Sequence, residues 1–532
     1  MAQVRVRGKL ALAQHIVIVA LFFASTAIFV LSEVTNGGLG FPFDDSWIFA
    51  QYARNLAEGH GFCFNIGEPS NGFTSFLWLL LVALGYKLTG GFVVPMKVMG
   101  VAFGVGCVVL AGLLLRELTE DEGQRQIGVW MVALCAPLLS ASLSGLDTTL
   151  GTFTALMALW WHMRNRSSPS SRWALEGILW GIAVLARPEN LALWLICLGI
   201  RVIQEMRLYP QRFRSAIVWL MCQVGIASLI VAPWIWLNFQ LAGTPFPTTY
   251  LAKALPRQRA VDDLWGFPVG RMAMVLSSLI EFVLLLFSTQ PVVVAFLLWR
   301  WLLRRQPVAF SSLLLVSFGL TAMQAFSNPS DYALVWSYFS RYVLTNLLLG
   351  LLGLALLLPS WRLVRVGVLV GSSLFLLACA DLHPELVKFV RQVNVQAGQW
   401  VKRNLPKEET IATHDIGAIA FFSGHRVFDT QGLIHPEVVP FLWQKFPGSD
   451  LDIQWKDDLK LVQALRRRGI RYLLAIPEVF PLVVQWQETF EMEKVFPSEA
   501  AMRRGQRFMG VFRIRWDKMR AMAELGEKQW RK

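Results

Sequence analysis

Long, unbroken apolar runs constrain this chain more than anything else in it. Residues 11–31, 92–115, 217–237, 308–326, 342–358 and 364–380 are almost free of charge. At about 1.5 Å per residue, a helix built from each run is long enough to cross a hydrocarbon core of about 30 Å. A bilayer offers no water to backbone N–H and C=O groups, so spans in this number must be helical. Composition agrees: 55% of the 532 residues are hydrophobic and only 16% charged, where a soluble domain carries about a quarter charged. The expected fold class is a polytopic α-helical membrane protein of about eleven crossings.

The charges that remain set the orientation. Arg5, Arg7 and Lys9 precede the first run, which has no small-residue cleavage site after it; it reads as a retained helix with a cytoplasmic N-terminus. Short basic loops at Arg164/Arg166/Arg172, Arg201/Arg207/Arg212/Arg214, Arg300/Arg304/Arg305 and Arg362/Arg365 belong on the cytoplasmic side. The turns at Asp147 and at Arg187-Pro188-Glu189 are then external, as are residues 239–268, 328–341 and everything after Ala380. The alternation closes only if residues 73–88, about 16 in number, lie at the external interface, and if 270–303, interrupted by Gln290-Pro291, make one broken crossing. The net charge of +14 sits largely in these loops and points to anionic lipid rather than nucleic acid. Six cysteines without paired spacing suggest neither a disulfide framework nor a metal site.

After residue 380 the pattern becomes that of a water-exposed α/β domain, 381–532, following a transmembrane domain, 1–380. Residues 399–404 and 457–468 read as amphipathic helices; 411–422, 426–429, 472–476 and 508–515 read as strands. The tail from 518 to 532 reads as a charged surface helix or a frayed end.

Chemistry concentrates at the external ends of the helices. Asp44 and Asp45 follow the first span directly. Taking a proton from a sugar hydroxyl requires a fixed, poorly hydrated carboxylate; a neighbouring carboxylate raises one pKa or helps to hold a divalent metal. Asp is also favoured as a helix N-cap, and a helix starts near Ser46, so both readings stand. Arg187, Lys253 and Arg341 are of the type that binds a phosphate headgroup, although basic residues at helix ends also snorkel. His414-Asp415, read along a strand, point to opposite faces and make no dyad; His60, between two glycines, reads as a turn residue. No Walker loop, dinucleotide fingerprint, zinc spacing or nucleophile elbow is present. A donor delivered by lipid therefore fits better than a soluble nucleotide sugar.

Several segments taken in order form a larger pattern. They are Asp44-Asp45 with Tyr52-Ala53-Arg54-Asn55, Phe64-Asn65, Gly67-Glu68 and Gly72-Phe73-Thr74-Ser75; then Ser144 to Thr148, Arg187-Pro188-Glu189, Thr249 to Lys253, Arg341-Tyr342, Asp415 to Ala418 and Asp429 to Leu433. Together they resemble polytopic GT-C-fold glycosyltransferases, in particular the group related to mycobacterial arabinofuranosyltransferases that use decaprenyl-phosphate arabinose. That resemblance implies a GT-C-like fold, a polyprenyl-phosphate-sugar donor, inverting transfer to an envelope glycan, lipid or protein on the external face of the inner membrane, and a catalytic carboxylate at Asp44 or Asp45. It implies Arg187, Lys253 and Arg341 as donor-phosphate residues, and Arg54, Asp147, Glu189, Tyr250 and Asp415 as substrate contacts. No cofactor is required, and a divalent metal, if used, falls to Asp44 or Asp45. The sequence departs from the pattern at Asp147, where Glu is usual, and at Ser70-Asn71, where Val-Glu is common, leaving the sugar open. Two other classes are a lipid-glycan transporter or flippase and a non-catalytic envelope scaffold. The transporter calls for polar residues near the bilayer midplane, where Glu281 is the main charged residue.

Overall fold

In the computed structural model the described residues are 2–165, 173–208, 213–291, 293, 296–297, 312–327, 341–444, 453–455, 458–503 and 507–519. The basic loop at Arg300/Arg304/Arg305, most of 328–341 and the tail beyond 519 lie outside them. The chain divides into two compact units, the first comprising 1–39, 74–237 and 267–385, the second 40–73, 238–266 and 386–532.

The first unit is helical. Its leading elements are α1 (Ala2–Thr35), then α3 (Phe76–Thr89), α4 (Val93–Leu118), α5 (Glu122–Ala133), α6 (Ala136–Leu143), α7 (Thr148–Arg164), α8 (Trp173–Ala186) and α9 (Asn190–Leu208); α2 (Asp45–Ala57) belongs to the second unit. Local chemistry sets the ends. The Ser75 hydroxyl accepts from the Trp78 amide to open α3, which closes on Gly90 at φ +71°. Asp121 takes the Gly123 and Gln124 amides at the start of α5. Between α4 and α6 the backbones nearly touch: a Cβ on Gly100 would lie 2.2 Å from the Ser142 carbonyl oxygen, the small-residue packing that bilayer helices use.

Among the described residues, five helices are long and apolar enough to span a membrane, Ile16–Thr35, Val93–Leu118, Ile217–Ala242, Val269–Thr289 and Arg362–Asn404, and the pair α5–α6, bent by 43°, makes a sixth if counted as one span. Four more apolar helices, α3, α8, Ser312–Ser327 and Leu344–Ala355, are shorter. Among the described residues, the expected eleven crossings thus resolve into five or six full-length candidates and a set of short helices. Composition cannot see the breaks: the apolar run 342–358 keeps only 344–355 as helix, with turns at both ends. Within the segment 73–88, helix begins at Phe76, and α3 runs 14 residues to Thr89.

The second unit carries a five-stranded sheet in the order β2-β1-β5-β7-β6, formed by Thr410–Thr413 (β1), Arg426–Asp429 (β2), Tyr472–Ala475 (β5), Phe490–Phe496 (β6) and Met509–Ile514 (β7). Strand β1 runs parallel to β2 and β5, and β7 antiparallel to β5 and β6; β3 (Leu442–Gln444) and β4 (Ile453–Trp455) form a separate antiparallel pair. Helices Gln396–Asn404 and Asp458–Arg467 match the amphipathic expectation. The expected strand over 411–422 is corrected: it ends at Thr413, and Gly417–Ser423 is a helix. The residues of that helix are small or apolar because it packs closely; a Cβ on Gly398 would sit 3.0 Å from the Ala418 carbonyl. Strand β6 was not expected. Its register shifts between Met492 and Lys494, which breaks the two-residue alternation that marks a strand in sequence.

Candidate active site

In the second unit, Asp44 and Asp45 sit at the start of α2 and serve different partners. Asp44 occupies the N-cap position, yet its side chain makes no capping bond to α2. Its carboxylate instead accepts from the amides of Gly417 (2.7 Å) and Ala418 (2.8 Å), joining the first loop to the helix Gly417–Ser423. Position 417 must be glycine for this, since a Cβ there would lie 2.2 Å from the Asp44 carbonyl oxygen and 2.8 Å from its carboxylate. Lost hydration and the neighbouring negative charge of Asp415 raise the Asp44 pKa to about 8, against the pull of the two amide bonds.

Asp45 is the more open carboxylate. Its side chain is 32% exposed and accepts from the Lys253 ammonium at 3.3 Å. Lys253 lies on the helix Thr248–Trp265, preceded by Tyr250, whose ring packs 5.3 Å from that of Phe246. Arg54 is engaged by the protein itself: its guanidinium stands 4.5 Å over the Phe421 ring and donates to the Phe421 carbonyl and the Gln51 side chain. Asp415 accepts from Asn394 at 3.0 Å. The opposite-face reading of His414-Asp415 is corrected, because both residues follow the end of β1 and the imidazole reaches within 3.8 Å of the carboxylate. At that distance they are not hydrogen-bonded. Burial lowers the His414 pKa, keeping the ring neutral.

Much of the conspicuous first-loop pattern builds this frame. The Asn65 side chain donates to the Val427 carbonyl and accepts from the Val427 amide, pairing with β2 as a strand residue would. The Tyr52 hydroxyl bonds Ser70 at 2.8 Å and accepts from the Gly72 amide at 2.7 Å. Thr248 donates to the carbonyls of Asn71 and Leu433, and Asp429 accepts from the amides of Gln431 and Ile434. Sequence reasoning marked Ser70-Asn71 only as a departure from the family pattern and gave Thr248 no role; their bonds to groups remote in sequence appear only in the fold.

In the first unit, a second cluster forms around Arg187. Its guanidinium donates to Asp147 (3.3 Å), to the Thr148 hydroxyl (3.2 Å) and to Glu189 (3.2 Å). Asp147, only 5% exposed, also accepts from Thr74 at 3.2 Å. Burial raises the Asp147 pKa, opposed by the charge of Arg187. The Arg187 stem lies on Gly151, where a Cβ would come within 2.4 Å of it. A polar cleft is lined by Thr148, Thr152, Arg187, Glu189, Arg341 and Tyr342, among others. Arg341 donates to the Tyr342 hydroxyl at 2.7 Å and lies 4.7 Å over that ring. Of the three cations expected at the donor phosphate, Arg187 and Arg341 share this cleft, while Lys253 is bonded to Asp45 in the second unit. Among the described residues, no group of three or more His, Cys, Asp and Glu side chains is placed to hold a metal ion.

Comparison with known proteins adds the following. A family described as a domain of unknown function, DUF8728, matches residues 385–518. No curated protein matches the sequence. Among solved structures, the chain is similar to ArnT from Cupriavidus metallidurans in the apo state, at 11% identity over 93% of this chain and 97% of that one, with a TM-score of 0.48. It is also similar to the Archaeoglobus fulgidus oligosaccharyltransferase in complex with zinc and sulfate, at 13% identity over 86% of this chain and 68% of that one, TM-score 0.47. A third is the arabinosyltransferase EmbB from Mycobacterium smegmatis, at 16% identity over 74% of this chain and 32% of that one, TM-score 0.36. Likeness at this level transfers no activity and no residue role, and the arabinofuranosyltransferase group in particular is not shown.

Proposed function

We propose that this chain is a membrane glycosyltransferase that moves a sugar from a polyprenyl-phosphate donor to an envelope glycan, lipid or protein acceptor on the external face of the inner membrane. The observation that carries this reading is the division of labour between the paired first-loop carboxylates. Asp44 is committed to two backbone amides, whereas Asp45 is partly open and held by an ammonium at 3.3 Å. A carboxylate fixed but accessible is what a general base requires, so Asp45 is assigned as the base and Asp44 as the residue that positions it. Asp45 takes the proton of the acceptor hydroxyl as that oxygen bonds to the anomeric carbon. The bond from that carbon to the phosphate oxygen breaks on the opposite face, inverting the centre, and its electron pair leaves with the polyprenyl phosphate.

Charge grows on the phosphate during this step, and fixed guanidinium donors stabilise it. Arg187 and Arg341 in their shared cleft support that role. Lys253 is assigned first to Asp45, which it holds in place, and Asp147 and Glu189 to holding Arg187. Arg54, packed on Phe421, acts on substrate through the fold. Tyr250 and Asp415 are assigned to the acceptor. A phosphate monoester is a competent leaving group with or without a divalent ion.

The test uses the full chain in nanodiscs, a panel of polyprenyl-phosphate sugars and membrane-derived acceptors, and follows release of polyprenyl phosphate. Sugar-dependent release abolished by Asp45→Asn supports the reading; an active Asp45→Asn protein removes Asp45 as base. A lipid-glycan transporter is the second reading, favoured by a neutral polar face inside the first unit, where Asn346 donates to Thr321 and Gln324. Translocation without release from any donor selects it.

A further inference from the structure

The first unit holds a closed circuit of buried polar side chains drawn from separate stretches of the chain. It begins and ends on α6. The Ser140 hydroxyl bonds His383 Nδ1 at 2.8 Å, and His383 Nε2 bonds Glu33 Oε1 at 2.8 Å. The same oxygen accepts from Lys97 Nζ at 2.8 Å, and Lys97 also donates to the carbonyl of Leu143, the last residue of α6, at 2.8 Å. Exposure runs from 0% at His383 to 5% at Lys97. The Phe29 ring packs edge-on against the imidazole, 5.6 Å away. Charges this deeply buried are costly unless each has partners, and here Lys97 and Glu33 each have two.

The circuit fixes one turn of helix, Ser140 to Leu143, and that turn feeds directly into the Arg187 cluster. After Leu143 come Ser144, Gly145 and Leu146, then Asp147. This link is held at two more points: the Leu146 amide donates to Ser144 Oγ, and the Trp78 indole donates to the Gly145 carbonyl at 3.2 Å. Gly145 adopts φ +76°, which side-chain-bearing residues seldom tolerate. Asp147 and Thr148 then bond Arg187, and Gly151, one turn on, packs against its stem.

We propose that Glu33, Lys97 and His383 are positioning residues that, through the Leu143 carbonyl, hold the Asp147 turn and thereby aim Arg187 into the polar cleft that receives a lipid-linked phosphate. The positioning is a property of the first unit by itself; its effect on phosphate binding rests on the glycosyltransferase reading.

The test compares two uncharged double variants of the full chain, so that no buried charge is left unpaired in either. Glu33→Gln with Lys97→Gln keeps an N–H donor for the Leu143 carbonyl, whereas Glu33→Gln with Lys97→Met removes it. Amide hydrogen exchange across 144–151 needs no ligand, and undecaprenyl phosphate in nanodiscs is the binding probe. At matched Tm, the Met variant is expected to exchange at least ten-fold faster in that segment and to bind the lipid phosphate at least ten-fold more weakly, the Gln variant staying near wild type in both. Equal exchange in the two variants overturns the proposal and leaves the circuit a stabilising feature only. Different exchange with equal lipid-phosphate affinity overturns its link to the cleft. If wild type binds no lipid phosphate, the glycosyltransferase reading fails, and the exchange comparison alone upholds or overturns the positioning role.

Discussion

In the first unit Asp147 and Arg187 meet at 3.3 Å with side chains 5% and 13% exposed; in the second, Asp45 and Lys253 meet at the same distance with 32% and 27% exposed. The buried pair is locked, since Arg187 also bonds Thr148 and Glu189 and lies on Gly151, while Asp147 takes Thr74. The open pair is suited to exchange: a partly hydrated carboxylate can give up its ammonium partner for a substrate hydroxyl at little cost. On the proposed function, one pair holds geometry and the other does the chemistry. Asp44 differs from both, a carboxyl fixed by two backbone amides.

The largest effect should come from removing the open carboxylate. Asp45→Asn is expected to slow sugar transfer by about 10²–10⁴-fold, the worth of a general base, with Tm near wild type; steady-state release of polyprenyl phosphate and a thermal scan on the same sample check both halves. Next comes the stability contrast. Arg187→Met strands buried Asp147 and is expected to destabilise by about 3–5 kcal/mol, whereas Lys253→Met costs about 1 kcal/mol or less. Equal losses in chemical unfolding of the two variants would erase the distinction between locked and open pairs.

A smaller effect, about 1–3 kcal/mol, is expected for Gly417→Ala, which forces a Cβ against Asp44; activity should fall with it, because Asp45 follows Asp44 directly in the chain. The remaining effect is one of pH. The Asp44 pKa is raised from 3.8 to about 8, so between those values the native state holds a proton that the unfolded chain has released. Stability from this group is complete below the unfolded pKa and is lost as pH rises through about 8. Tm measured across this range should decline less steeply in Asp44→Asn than in wild type, and parallel curves would show that Asp44 is ionised throughout.

Charge and hydropathy made the membrane class legible, along with a C-terminal region that mixes helix with strand. They also picked out Asp44, Asp45, Arg187, Lys253 and Arg341 as chemistry out of place in an apolar chain. What they could not show was which partner each would take. Asp44 looked like the cap of its own helix and instead holds the helix Gly417–Ser423. Lys253 looked like a phosphate ligand and is bonded to Asp45. The strand expected through 411–422 stopped at Thr413 because the next segment packs as a helix, and β6 stayed hidden because a bulge destroys its alternation.

By itself, then, the sequence determined the solvent each segment can live in, because transfer to lipid depends on side chains summed along a local run. It also determined several local ends, such as the Ser75 cap and the Gly90 stop. Tertiary structure alone decided which carboxylate stays partly exposed, which cation bonds a neighbour, and that Lys97 and His383, 64 and 350 residues from Glu33, close on one of its oxygens. A hydrogen bond depends on fractions of an ångström between groups remote in the chain, and only the folded backbone sets those distances.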